Sequence, residues 1–172
     1  MDDIRNLQAL QLDALREVAN IGAGHAATAL SQMTGHKIMI SVPEVNITRL
    51  EQVAEVMGRS DDVVAAVLMH MMGDLTGRTM ILFPEDSARI HCDILLRRQI
   101  PTTTDFGVME QSGLKEAGNI LSSAYLNALS DFMGMMLLPS VPSLVIDLLG
   151  AVLTSAYLNF GHEREYVFCL ET

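Results

Sequence analysis

The 172-residue chain is 49% hydrophobic and 19% charged, with a formal net charge of −10, the make-up of one well-packed acidic domain. Eleven Lys and Arg against 21 Asp and Glu leave nothing resembling a basic patch, which disfavours nucleic acid and anionic membrane surfaces as partners. Asp147 interrupts the best apolar run, no basic–apolar leader opens the chain, and Cys92 and Cys169 are too few for a disulfide framework, so the expectation is a soluble protein of the reducing cytoplasm.

In chain order, the spacing predicts a long helix from about Asp3 to Thr34, with Gly35 as the left-handed residue past its end. Lys37 to Ile47 alternates and is β-branched, which predicts a strand with an irregularity or an edge at Pro43. A short helix over Leu50–Met57 ends at Gly58. Val63–Met72 and Arg78–Phe83 read as a hairpin around Gly73-Asp74-Leu75-Thr76-Gly77, and Pro84 opens a helix running to about Arg98. Gln99–Asp105, with Pro101 and three threonines, reads as a linker. Beyond it come a second long helix (about Phe106–Phe132, ending near Gly134), a strand over Met135–Pro139, an amphipathic helix over Ser143–Tyr157 and a last strand over Tyr166–Leu170.

One stretch occurs twice. Asp13, Glu17, Asn20 and Pro43 are matched by Ser112, Glu116, Asn119 and Pro142, each 99 positions later (112−13, 116−17, 119−20, 142−43). Leu15, Ile21, Ala29, Leu30, Ser31, Gly35, Ser41 and Val42 recur in the same register, giving 11 identities in 31 aligned positions. A lone Glu-x-x-Asn occurs by chance in many helices, but two copies in one unbroken register indicate an internal duplication. The halves are then 1–98 and 106–172 of a single domain.

Residues three and four apart share a helix face, so Asp13, Glu17, Asn20 and Gly24 form one polar stripe, repeated by Ser112, Glu116, Asn119 and Ser123. Leu7, Leu10, Val18 and Ile21 are expected on the opposite, buried side. Gly22 and Gly24 each cost about 1 kcal/mol against Ala inside a helix, and close approach of another surface is a compensating reason for them. The bland reading of a single stripe is a solvated face; duplication argues against it.

Other candidates fare worse. Strand alternation divides Met69 and Met71 from His70 and Met72, so that run does not converge on a metal. His91, Cys92 and Asp93 are consecutive on a helix and point three ways. His25, His36 and His162 stand alone, and Gly22-x-Gly24 lies within a helix, unlike a nucleotide loop. No metal site is expected.

An Asn amide does not titrate, but it holds a water by donating and accepting hydrogen bonds at once. A Glu one turn away pairs with a partner's cation. This pairing suits a substrate already activated for hydrolysis, because phosphoryl transfer is mostly positioning and electrostatics. Asp13-x3-Glu17-x2-Asn20-x22-Pro43 and Ser112-x3-Glu116-x2-Asn119-x22-Pro142 resemble the twin signatures of the CheC family of CheY-phosphate phosphatases, related to CheX and FliY. Leu15 to Ser31 resembles the family's first helix, and Gly73–Gly77 its hairpin. The resemblance implies a pseudo-twofold α/β (α+β) domain with a β-sheet and both signature helices on one face. It implies that Asn20 and Asn119 orient the attacking water and that Glu17 and Glu116 pair with the receiver's lysine. Asp13 and Ser112 would flank these sites as docking positions. The Mg²⁺ would come with the receiver substrate, leaving no cofactor for this chain to bind. His25 departs from the pattern, where Asn is frequent, but it lies off the stripe.

The same resemblance implies a second partner, the deamidase CheD, docking on a helix over Leu144–Leu153 that presents Asp147; the bland alternative is an ordinary core helix. A rival function is a non-enzymatic receiver- or CheD-binding module like the middle domain of flagellar switch proteins. Finally, the second half reaches only Tyr166–Leu170, which would match the first hairpin strand, without the return strand and closing helix of the first half. The expectation is an open strand edge at Tyr166–Leu170 through which two copies dimerise.

Overall fold

The computed structural model describes residues 9–57, 60–98, 105–160 and 166–172. Its elements are α1 (Ala9–Thr34), β1 (Glu44–Arg49), a 3₁₀ turn (Leu50–Gln52) running into α2 (Val53–Met57), β2 (Val63–Gly73), β3 (Gly77–Pro84), α3 (Glu85–Leu95), α4 (Val108–Met133), β4 (Leu137–Pro139), β5 (Ser143–Leu148), α5 (Leu149–Phe160) and β6 (Tyr166–Glu171). The expected Asp3 start of the first helix, Gly58 and most of the 99–105 linker lie outside the described residues.

The centre is β2. Its run Val-Val-Ala-Ala-Val-Leu-Met is apolar at every position because both faces of the strand are covered. Ala65, Val67 and Met69 join Leu30, Phe83, Ala88, Cys92, Leu114 and Ala117 in the core beneath α1, α3 and α4. Val64 and Ala66 face the other way, into Leu50, Val53, Leu149, Val152 and Leu153 around α2 and α5, with Val167 and Cys169 of β6 against them. The result is an α/β fold with antiparallel sheets and both long helices on one side.

β3 pairs antiparallel along one edge of β2. The other edge is covered by two pieces of one interrupted strand, β4 against Met71–Gly73 and β5 against Val63–Leu68. Between them Ser140 keeps the ladder through His70, its N–H donating to the His70 carbonyl at 2.8 Å and its Oγ accepting from the His70 N–H at 2.9 Å. Val141 and Pro142 then stand opposite Met69 alone, a bulge that leaves Val141 88% exposed. Pro142 has no N–H to lose there.

Two sequence-based expectations are corrected here. Ser143–Tyr157 is not one helix, because Ser143–Leu148 is strand β5. Its alternation turns Leu144 and Ile146 onto the core and leaves Val145 and Asp147 outside, which is a period of two rather than 3.6. Asp147 therefore sits on a strand opposite Val64, with Oδ1 accepting from the Leu148 N–H at 2.7 Å just before α5. The Lys37–Ile47 strand is also shorter, beginning only at Glu44; Ile38 and Ile40 reach the core from irregular chain ahead of Pro43.

β1 lies 99 positions before β5 (143−44), and the two strands find partners crosswise. β5 pairs with β2, whereas β1 pairs with β6 from Glu44↔Glu171 to Arg49↔Tyr166. The expected open strand Tyr166–Leu170 is thus paired along one edge within the chain. No second strand pairs with β6 among the described residues.

Candidate functional site

The long helices end alike. Gly35 and Gly134 take φ of +72° and +63°, a left-handed turn that spares the chain a Cβ clash. Ser31 and Ser130, four residues earlier, fasten the departing chain: the Ile38 N–H donates to Ser31 Oγ at 2.8 Å, and Ser130 Oγ donates to the Met135 carbonyl. These repeated residues, with the Pro43 and Pro142 breaks, set how each signature helix stops and hands over to a strand.

Between the ends, α1 buries Val18, Ala19, Gly22, Ala23, Ala26 and Leu30, and α4 buries the wider set Leu114, Ala117, Gly118, Ser122, Ala124, Leu126 and Ala128. The contacts are close because small residues make them. A Cβ on Gly22 would stand 2.4 Å from the Tyr125 ring of α4, and one on Gly118 would stand 2.6 Å from Val67 of β2. α4 is therefore wedged between α1 and the sheet, whereas α1 has a free outer face.

On that outer face lie Asp13, Glu17, Asn20 and Gly24, all exposed. Asp13 Oδ1 accepts from Arg16 Nη1 at 2.8 Å, an exposed pair of the kind that contributes about 0–1 kcal/mol. Glu17 and Asn20 make no side-chain hydrogen bond or ion pair among the described residues, and neither do Glu116 and Asn119. Ser112 and Glu116 are exposed, while Asn119 and Ser123 are half-buried because α4 is the inner helix. The structure thus holds an unpaired amide and carboxylate one turn apart on each signature helix, fully exposed on α1 and with the amide half-buried on α4.

The apolar assignment beside the stripe needs correcting. Val18 is buried as expected, but Leu10 is 79% exposed and Ile21 is 42% exposed, and Leu7 lies outside the described residues. The helical arithmetic explains this. Ile21 follows Glu17 by four and Leu10 precedes Asp13 by three, so both fall within about 40° of Glu17. They are part of the same face, and Met109, 63% exposed, repeats Leu10 on α4. The signal was available in the spacing.

The dismissed candidates are held in other roles. Cys92 is buried, its Sγ 3.7 Å from the Glu110 carbonyl, and its thiol is pushed up to about 11, by burial first and then by Glu110 and Asp93. The His91 ring packs edge-on against Phe83, and burial lowers its pKa. Asp93 faces Arg98 at 4.0 Å. Met69 is core, while His70 is exposed. Among the described residues no three His, Cys, Asp or Glu side chains converge as a metal site, and no helix is long and apolar enough to cross a membrane.

Comparison with known proteins adds four findings. The CheC-like family model matches residues 10–47 and again 109–146, the two signature regions. The chain is 35% identical over 164 residues to the CheY-P phosphatase CheC of Bacillus subtilis (strain 168), covering 94% of this chain and 78% of that relative. In fold it resembles Thermotoga maritima FliY, with a TM-score of 0.74 at 20% identity over 96% of this chain and 85% of that one. It also resembles the FliM middle domain from H. pylori, with a TM-score of 0.54 at 16% identity over 95% and 92%.

Proposed function

The chain belongs to the CheC-like family, and from that premise we propose that it is a chemotaxis hydrolase removing the phosphoryl group from the aspartyl phosphate of a CheY-type receiver. One observation carries the reading: both helices carry a Glu and an Asn one turn apart, Asn20 exposed and Asn119 half-buried, with no partner among the described residues. A face built only for solubility has no need of the same unpaired amide twice.

In this reading Asn20 or Asn119 holds a water against the phosphorus, its carbonyl oxygen accepting from the water and its amide fixing the approach. The water oxygen bonds to phosphorus, the P–O bond to the receiver aspartate breaks, and inorganic phosphate and a free carboxylate leave. Glu17 or Glu116 pairs with the receiver's lysine, and Asp13 and Ser112 flank the contact. Mg²⁺ belongs to the phosphorylated receiver as substrate. The rival reading, a scaffold that binds receiver or CheD without hydrolysis, draws on the likeness to the FliM middle domain, which extends to fold alone. CheD binding near Asp147 and pairing of two copies through the outer edge of β6 are part of the same proposal.

Phosphate release from a phosphorylated receiver tests it. Asn20→Ala and Asn119→Ala alone each leave the other site working. The double variant loses on the order of 10²–10³-fold while still binding receiver, as when one oriented transition-state group is removed. Full activity in the double variant removes the mechanism.

A further inference from the structure

Most glycines in this chain have a visible reason. Gly22 and Gly118 admit Tyr125 and Val67, and Gly35, Gly73 and Gly134 adopt positive φ. Gly77, Gly107, Gly113 and Gly150 each have a neighbour within 3.2 Å of where a Cβ would stand. Gly24 alone among the described glycines has neither, with nothing within 4 Å of its missing Cβ. It lies in the middle of α1, where glycine weakens a helix, and no contact with a described residue compensates.

Its position is specific. Gly24 sits one turn beyond Asn20 and two beyond Glu17, on the same exposed face. Past it the face opens into a shallow groove, largely open to solvent, lined by Thr28, Ser31, Gln32, His36 and Lys37. Thr28 ties its hydroxyl back to the Gly24 carbonyl at 2.9 Å. Lys37 forms no ion pair among the described residues and offers a cation at the groove. On α4 the corresponding residue is Ser123, which is half-buried, so the two sites differ at this point.

We infer that Gly24 is the point of closest approach of the phosphorylated receiver at the first-helix site, a specificity-determining contact where a main-chain segment beside the aspartyl phosphate crosses α1 and enters the Lys37 groove. The inference rests on the receiver-phosphatase reading above. A methyl group at residue 24 lifts that segment by about an ångström, and misplacement on that scale costs up to roughly 10²-fold.

The test uses the full chain carrying Asn119→Ala, so that turnover comes from the first site. Adding Gly24→Ala should lower kcat/KM for the phosphorylated receiver on the order of 10- to 100-fold, chiefly through KM. The same change should raise Tm by about 2–4 °C, because alanine is the better helix former and meets nothing. Gly22→Ala serves as the contrast, lowering Tm by forcing Tyr125 aside. Unchanged kcat/KM on Gly24→Ala, with Asn20 still essential, overturns the inference and leaves the phosphatase reading standing. So does a loss of activity accompanied by a lowered Tm, or an Asn119→Ala protein with no first-site turnover to lose. Full activity in the Asn20→Ala, Asn119→Ala protein instead overturns the parent reading.

Discussion

Glu110 shows how a charged residue is kept inside a helix start. It lies in the first turn of α4, 7% exposed, where its carboxylate meets the positive end of the helix. Its own backbone N–H, then the Arg98 guanidinium and the Gly107 backbone, hold its carboxyl below the ordinary value of 4.5. A lowered folded pKa means that the unfolded chain binds the extra proton. The stabilisation is therefore present above about pH 4.5 and lost as pH falls through the folded value. Thermal melts below pH 4.5 should show a steeper loss of stability for the native chain than for Glu110→Gln. Equal slopes would mean the pair carries no proton linkage. The carboxylates proposed to meet the receiver have no such support. Glu17 and Glu116 face water without partners among the described residues, leaving them free to pair with another molecule.

Among the elements, β5 and the start of α5 differ most from their sequence reading. Leu144–Leu153 was expected to be one helix presenting Asp147; it is a strand followed by a helix, with Asp147 exposed at the junction. Local propensity is ambiguous for so apolar a segment, and the unfilled edge of β2 decides it by offering a ladder from Val63 to Leu68. Asp147 remains a surface carboxylate, so the proposed CheD contact moves from a helix face to a strand–helix corner. Asp147→Lys should weaken CheD binding in a titration while leaving the melting curve near that of the native chain. Unaltered binding would place the CheD surface elsewhere. The signature helices divide differently: their repeated Ser and Gly residues terminate helices, while their Glu and Asn residues make no side-chain bond among the described residues.

Across the whole molecule, stability is unevenly spread. β2 is paired on both edges and covered on both faces, whereas β6 pairs only with β1 among the described residues. Amides in β2 should exchange slowest, near the global unfolding limit, and those of Tyr166–Glu171 faster. If two copies pair through the outer edge of β6, light scattering should report twice the mass of one chain, and exchange there should slow as concentration rises. A single-chain mass at every micromolar concentration would remove the dimer.

The duplicated register, the two long helices, the β2–β3 hairpin and the Glu/Asn stripes were all legible in the sequence, because each is a periodicity or a short-range turn preference. Even the exposure of Leu10 and Ile21 was implicit in their spacing from Glu17. Only the tertiary structure could show that β1 takes β6 and β5 takes β2, since strand pairing joins residues far apart in the chain and either half could have closed on itself. It also made the two candidate sites unequal. With Tyr125 packed on Gly22, α4 lies beneath α1, so Asn119 is half-covered while Asn20 stands open. Both helices carry the same motif, and their depth in the stack sets how much of it reaches solvent.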